Sequence, residues 1–133
     1  WQADHHGRYR HPADPNPAQP DPNFQGWGQT VTDAEGRFSF RTIKPASYPL
    51  RFLGGKADDS AGYRTPHIHF RVSRRGYTEL TTQMYFAGEA LNDADIVLKR
   101  VPVAERSKVV IAGRRPADGE PPVFAFDIAI APA

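Results

Sequence analysis

Short stretches of alternating apolar and polar residues dominate this chain, and long stretches of helical periodicity are hard to find. Phe38 and Phe40, for example, alternate with polar neighbours, which gives their segment one apolar and one polar face. A period of two is the pattern of a β-strand with one buried face. Together with segments rich in Thr and aromatic residues, it predicts strands at residues 30–33, 37–42, 67–73, 77–86, 108–112 and 123–131. Residues 92–100 are predicted to form a short helix.

Turn-forming residues separate these segments, since the chain has 13 prolines and 11 glycines. Residues 4–28 are polar and rich in Pro, Asn, Asp and Gly, which predicts a long loop, and Phe24 and Trp27 indicate that packed aromatic side chains order it. Residues 43–49 and the flexible polar stretch 54–62 are further predicted loops. Many short strands with turns between them predict an all-β protein, an antiparallel β-sandwich with long ordered loops.

Composition narrows the class of protein. At 133 residues and 39% hydrophobic content, the chain is predicted to form a single domain, 1–133, with its own core. The absence of cysteine excludes disulfides, thiolate metal sites and cysteine nucleophiles. The formal charge of +2 comes without the clustered basic stripe of a nucleic-acid-binding surface. No apolar run approaches the roughly 18 residues that a membrane span needs.

The first residue is Trp1 and not methionine. We therefore expect an N-terminal portion to be missing from this chain, and any targeting signal to be missing with it. The sequence consequently indicates no compartment.

Two histidines in one predicted strand give the first indication of chemistry. His67 and His69 are two residues apart, so in a strand both imidazoles point to the same face, with their Cα atoms about 6.5 Å apart. Such a pair can chelate one metal ion. Taken alone, the pair is also compatible with two strand histidines that bind nothing, so the other available ligands decide its meaning.

Short motifs along residues 1–90 resemble those of a known family in their order. They are Trp-Gln-Ala at 1–3, Gly-Arg-Tyr at 7–9, Asp-Pro-Asn-Phe-Gln-Gly at 21–26, Phe-Arg-Thr-Ile-Lys-Pro at 40–45 with Tyr-Pro at 48–49, Pro-His-Ile-His-Phe at 66–70 and Thr-Gln-Met-Tyr-Phe at 82–86. With these motifs the chain resembles the intradiol ring-cleavage dioxygenases, in particular the catalytic (beta) subunit type of protocatechuate 3,4-dioxygenase. Several motifs in one order are more specific than any single motif.

The resemblance implies a non-haem Fe(III) site with four protein ligands. These ligands are Tyr9, Tyr48, His67 and His69. Tyr48 would also act in catalysis as a displaceable ligand and base, Arg64 would stabilise negative charge on the substrate ring, and Gln83 would hydrogen-bond close to the iron ligands. Two phenolates and two imidazoles without a thiolate agree with ferric iron.

The resemblance also implies a reaction. Both atoms of O2 would be inserted into a catechol-type diol, either protocatechuate-like or another substituted catechol, with intradiol cleavage of the ring to a muconate-type diacid. Leu50 stands where the family often has tryptophan, so a bulky aromatic group expected near the substrate is absent. A homo-oligomer or a pairing with a related subunit is implied as well.

Two other classes remain open from the sequence. One is a non-catalytic transthyretin-like β-sandwich, acting as a binding module or partner subunit that keeps the scaffold without the reaction. The other is an extradiol Fe(II) ring-cleaving enzyme, which would want a carboxylate ligand in place of the tyrosines. The presence of all four ligand types favours the ferric dioxygenase.

Overall fold

A computed structural model describes residues 1–50 and 62–133 of the chain. In this part, five short strands form two small sheets. The strands are β1 (Tyr48–Pro49), β2 (Tyr63–Arg64), β3 (His67–Val72), β4 (Leu80–Phe86) and β5 (Val110–Ile111). Two 3₁₀ helices, Leu98–Arg100 and Val103–Lys108, lie between β4 and β5. Within the described ranges, no helix is long and apolar enough to cross a membrane.

The strand pairing is mixed. β1 pairs with β2 and β3 pairs with β4 in antiparallel fashion, but β4 and β5 run parallel, which differs from the predicted antiparallel arrangement. Residues 87–109 form the crossover, and a connection of this length lets the chain return in the same direction. The strands that the structure describes belong to sheets of two and three strands, so the sandwich stays a prediction.

The register between β3 and β4 positions the predicted functional residues. His67 lies opposite Tyr85, and His69 lies opposite Gln83. Directly opposed residues of an antiparallel pair project to the same face of a sheet, as do residues two apart on one strand. One face of the sheet therefore carries all four of these side chains, while Met84 projects to the other face and is buried.

Aromatic side chains pack on the face opposite to the histidines. The ring of Phe70, in β3, lies 5.2 Å from that of Phe126 and 5.9 Å from that of Phe38, measured between centroids. Phe86, in β4, lies 5.0 Å from Phe124 in an edge-to-face contact. Such aromatic pairs stabilise a fold beyond the area that they bury. They attach residues 37–42 and the C-terminal segment to the sheet.

Three strand predictions are confirmed and three are wrong. Strands β3, β4 and β5 lie within the predicted ranges 67–73, 77–86 and 108–112. Residues 30–33 and 37–42 form no strand. Instead, the Asp33 carboxylate accepts hydrogen bonds from the backbone N–H groups of Glu35 and Arg37, which closes a tight turn. Val31 is 87% exposed, so the alternating pattern there buries little.

Residues 123–131 also form no strand, although their side chains pack as the pattern predicted. Phe124 and Phe126 contact the sheet. Among the described residues, however, the backbone of this segment makes one isolated bridge, between Val123 and Arg114, and Pro132 just after it makes another, with Tyr77. Alternation describes how side chains pack, whereas a strand also needs a neighbouring backbone at hydrogen-bonding distance. The sequence pattern carries no information on that second condition.

The helix predicted over 92–100 is reduced to its last three residues, which form a 3₁₀ helix. The preceding residues form turns, because the carboxylate of Asp95 accepts the backbone N–H groups of Val97 and Leu98. A side chain that bonds the backbone in this way competes with helical hydrogen bonds. The polar stretch predicted at 54–62 lies, except for Gly62, outside the described residues.

Candidate functional site

His67 sits at the start of β3 with one imidazole nitrogen already engaged. Its Nδ1 lies 2.6 Å from the carbonyl oxygen of Thr65, and since a carbonyl only accepts, Nδ1 carries the proton and Nε2 keeps its lone pair. Burial, together with the nearby charge of Arg64, lowers the pKa of His67 to about 4. The imidazole is therefore neutral at pH 7, in the form that binds metal ions.

His69 presents a second neutral imidazole on the same face. Its ring stacks on the indole of Trp1, with 4.6 Å between the centroids and 5° between the planes, and lies 4.8 Å from the ring of His67. Burial and the neighbouring His67 lower the pKa of His69 to about 3. Nδ1 of His69 is buried without a hydrogen-bond partner in the described part of the chain, although a buried polar atom normally has one.

The two tyrosines predicted as ligands converge on His67 from separate loops. The hydroxyl oxygen of Tyr9 lies 3.2 Å from that of Tyr48 and 3.2 Å from Nε2 of His67. The hydroxyl of Tyr48 lies 3.3 Å from the same nitrogen. Burial raises the pKa of both phenols above the usual value. Their deprotonation therefore requires a strong positive charge nearby.

Asp4 holds together the two segments that carry Tyr9 and Tyr48, through hydrogen bonds to its carboxylate and to its backbone carbonyl. The carboxylate of Asp4 accepts N–H groups of His6, Arg8 and Asp21, which shapes the loop that leads to Tyr9. The carbonyl of Asp4 accepts the N–H of Ala46, which belongs to the other loop. Tyr48 is further held by its place in β1.

The two tyrosine hydroxyl oxygens and Nε2 of His67 are spaced so that they fit a single metal ion. Three atoms spaced 3.2, 3.2 and 3.3 Å apart share a point about 1.9 Å from each, and nitrogen and oxygen ligands bind zinc, for comparison, at roughly 2.0–2.2 Å. The described residues contain no group of three His, Cys, Asp or Glu side chains that could hold a metal. A site built on the two histidines would therefore use the tyrosines.

Arg64 and Gln83 lie next to this cluster. Nη1 of Arg64 lies 3.5 Å from the hydroxyl of Tyr48, and Nη2 donates to Oε1 of Gln83 at 2.6 Å. Gln83 Oε1 also accepts a hydrogen bond of 2.8 Å from the hydroxyl of Tyr85. The structure thus brings all six predicted site residues into one region.

Two residues of this region were missed from the sequence. The first is Asp95, whose carboxylate accepts a hydrogen bond of 2.9 Å from Nε of Arg64. The second is Tyr85, whose hydroxyl donates a hydrogen bond to Gln83 in the same strand. The strand period could have indicated Tyr85, because it lies two residues after Gln83. Asp95 lay in a segment predicted as helix, where an acidic residue usually faces solvent.

The comparisons with known proteins agree on the class of protein. A family model described as Dioxygenase matches residues 1–132. The chain belongs to this family, the intradiol dioxygenases, which confirms the resemblance inferred from the motifs.

Individual relatives make the family membership more specific. The chain is 40% identical over 111 residues to the protocatechuate 3,4-dioxygenase beta chain of Burkholderia cepacia, covering 83% of this chain and 45% of that protein. It is also 40% identical over 109 residues to the alpha chain from the same species, with coverage of 79% and 49%. Among solved structures, 3-chlorocatechol 1,2-dioxygenase from Rhodococcus opacus 1CP matches with a TM-score of 0.73 and 28% identity, over 100% of this chain and 51% of that chain. The chain spans about half the length of these relatives.

Proposed function

We propose that this chain, as a single domain over residues 1–133, is the ferric catalytic domain of an intradiol ring-cleavage dioxygenase. Its reaction would insert both atoms of O2 into a catechol-type diol and open the ring to a muconate-type diacid. The observation that carries this proposal is the convergence of two tyrosine hydroxyls on Nε2 of His67, at 3.2–3.3 Å. The four ligands would be Tyr9, Tyr48, His67 and His69.

The chemistry of the donor set supports Fe(III) as the ion. Buried phenols whose pKa values are raised lose their protons at neutral pH only next to a strongly Lewis-acidic cation. Oxygen and imidazole ligands without thiolate suit a hard trivalent ion. When bound, ferric iron would supply a Lewis acid that binds the two oxygens of a catechol and makes its ring reactive toward O2.

Tyr48 is proposed as the base that receives a substrate proton. Because burial raises the pKa of its phenol, the phenolate form would be strong enough to take a proton from a catechol hydroxyl. The nearby guanidinium of Arg64 keeps positive charge beside that oxygen throughout.

Arg64 is proposed to stabilise negative charge that develops on the substrate ring. A preorganised cation in a site with little water does this more effectively than a solvated one. Gln83 would hydrogen-bond close to the iron ligands, where its Oε1 accepts a short hydrogen bond from Nη2 of Arg64. The stacking of Trp1 on His69 would shield that side of the site from water.

The substrate class and the assembly follow from the relatives only as proposals. Relatives are named for protocatechuate, catechol and chlorocatechol, so we propose a catechol-type substrate without choosing among these. Because both an alpha and a beta chain are among them, we propose pairing with a related subunit or with a second copy. The strands would belong to an antiparallel β-sandwich in the whole protein.

A second candidate is a non-catalytic binding module or partner subunit. The observation that favours this candidate is that the chain is 40% identical to the alpha chain as well as to the beta chain from one species. The retention of four ligand side chains in one cluster supports the enzyme instead, since a module without the reaction has no need of them.

The test is iron loading of the full-length protein followed by oxygen consumption. We expect a red-brown colour from tyrosinate-to-Fe(III) charge transfer, O2 uptake with a panel of catechols, and ultraviolet spectra of muconate-type products. Tyr9→Phe, which removes one of the two proposed phenolate ligands, should weaken this colour, and Tyr63→Phe, at a half-exposed tyrosine, is its matched control. A protein that stays colourless after loading would refute the ferric site, and extradiol products would refute the reaction.

A further inference from the structure

A carboxylate outside the ligand cluster is buried against the site arginine. The side chain of Asp95 is 0% exposed, and that of Arg64 is 4% exposed. Oδ2 of Asp95 accepts hydrogen bonds of 2.9 Å from Nε of Arg64 and from the backbone N–H of Thr65. Oδ1 accepts the N–H groups of Val97 and Leu98, each at 2.9 Å. Four donors therefore fix both carboxylate oxygens.

The pair is charged in the folded protein. Burial raises the pKa of Asp95, but hydrogen bonds from Leu98, Arg64 and Thr65 outweigh it and hold the pKa below the usual value. Burial alone would lower the pKa of Arg64, but the bond to Asp95 raises it. Removal of one partner of a buried ion pair leaves the other without compensation.

The position of Asp95 determines where the guanidinium of Arg64 points. A guanidinium is planar, with its donors in a fixed fork. Once Nε–H is directed at Asp95, the plane and direction of the guanidinium are constrained, and in this orientation Nη2 bonds Gln83 while Nη1 faces the hydroxyl of Tyr48. Without the carboxylate, rotation of the Arg64 side chain would leave both contacts unspecified.

We propose that Asp95 is the positioning residue for Arg64, holding its guanidinium toward Tyr48 and Gln83. This inference rests on the proposed function, because the role of Arg64 belongs to it. Asp95 does not touch the ligand atoms. It acts on the reaction only by setting the direction of the cation.

A purely structural role is the competing explanation, since Asp95 also anchors the turn before the 3₁₀ helix Leu98–Arg100. Asn92 offers a matched control for that role. Its side chain accepts a hydrogen bond from Oγ1 of Thr65 and donates one to the carbonyl of Phe86. It therefore anchors the same turn, but none of its described hydrogen bonds involves Arg64.

The first experiment compares Asp95→Asn and Asn92→Ala in the full-length, iron-loaded protein. We expect Asp95→Asn to lower kcat and kcat/KM by the same factor, roughly 10–100-fold, which is typical for residues that orient site groups, because the missing interaction acts in the transition state. Asn92→Ala should reduce the melting temperature while kcat stays within about twofold. Equal losses of kcat in both variants would overturn the proposal.

A double-mutant cycle with Arg64→Gln separates positioning from stability. If Asp95 acts through Arg64, adding Asp95→Asn to Arg64→Gln should change kcat by less than about twofold, because coupled residues are not additive. The same fold-loss in both backgrounds would overturn the proposal. If Asp95→Asn does not fold, Asp95→Glu replaces it, since it keeps the charge but displaces it by one methylene.

A third readout does not depend on catalysis. The Nε–H resonance of Arg64, measured by NMR in the full-length protein with diamagnetic Ga(III) offered in place of Fe(III), should be protected from exchange and should shift in the Asp95 variant only. An unchanged resonance in that variant would overturn the proposal. If the wild-type protein cleaves no catechol, the proposed function fails, and this measurement still decides whether Asp95 positions Arg64.

Discussion

Gly7 lies where the loop that carries Tyr9 meets the loop that carries Tyr48. Its φ is +73°, a conformation that residues with a side chain rarely adopt. A Cβ atom at this position would lie 2.7 Å from the carbonyl oxygen of Ser47 and 3.0 Å from Cβ of Tyr48. We predict that Gly7→Ala destabilises the protein and also moves the two phenols apart.

The expected loss in the free energy of unfolding of Gly7→Ala has two parts. A left-handed backbone with a side chain costs about 1–2 kcal/mol. The overlap with Ser47 requires a backbone shift of about 0.8 Å to reach normal contact, and overpacking of this kind typically costs about 1–3 kcal/mol. We therefore expect Gly7→Ala to lower the free energy of unfolding by about 2–5 kcal/mol.

Gly36→Ala is the matched control, because it isolates the backbone part. Gly36 has a φ of +79°, but an added Cβ would meet nothing within 4 Å. Urea unfolding followed by circular dichroism should give a loss of only about 1–2 kcal/mol for this variant, and a titration with Fe(III), followed by charge-transfer absorbance, should match the wild type.

For Gly7→Ala the same titration should show iron affinity at least about tenfold weaker, a change typical of disturbed ligand support. If Gly7→Ala lowers the free energy of unfolding no more than Gly36→Ala does, the steric part of the reasoning is wrong. If iron affinity is unchanged, the contact between the two loops does not set the spacing of the phenols.

Further predictions concern the ligands and the loop that leads to Tyr9. Tyr48→Phe should keep iron but slow catechol binding in stopped-flow measurements, because the base is lost. Tyr63→Phe should bind catechol as fast as the wild type does. If Tyr48→Phe also binds at the wild-type rate, the assignment of Tyr48 as the base is wrong. Metal analysis should show that His69→Ala lowers iron occupancy at least about tenfold. The control His6→Ala, at an exposed histidine, should leave the iron content unchanged. Full iron and activity in His69→Ala would show that His69 is not a ligand. Burial raises the pKa of Asp4, but three backbone N–H groups outweigh it and hold the pKa below its usual value. The stabilisation from this carboxylate is thus complete above the unfolded pKa of about 3.9 and is lost as the pH falls through the lower folded value. The stability difference between wild type and Asp4→Asn in urea should shrink below about pH 4, and a difference independent of pH would refute this.

The parts of the fold that could be predicted are those governed by local pattern. Strands β3 and β4 were predicted because each combines period-two alternation or β-forming residues with turn signals at its ends. The segments 37–42 and 123–131 carry the same signal, yet they form no continuous ladder with another segment in the described part of the chain. The pairing of a strand depends on residues far away in sequence, so a local pattern overpredicts strands.

The residues of the candidate site also fall into those that a local pattern predicts and those that it does not. The spacing of His67 and His69 was enough to place both imidazoles on one face, because the geometry of a single strand sets it. Tyr9 and Tyr48 were assigned from the resemblance, since no periodicity distinguishes a ligand tyrosine from a packing one. Asp95 was missed because its partner, Arg64, is 31 residues away.

The sequence by itself determined that His67 and His69 share one face of β3, that thiolate chemistry is absent and, through ordered motifs, the family. Only the tertiary structure decided how closely Tyr9 and Tyr48 approach Nε2 of His67, and that the buried carboxylate of Asp95 holds Arg64 beside them. The physical reason is that a strand's side-chain direction follows from its own backbone. The distance between two loops, in contrast, follows from contacts such as that of Gly7 with Ser47, which exist only after the chain has folded.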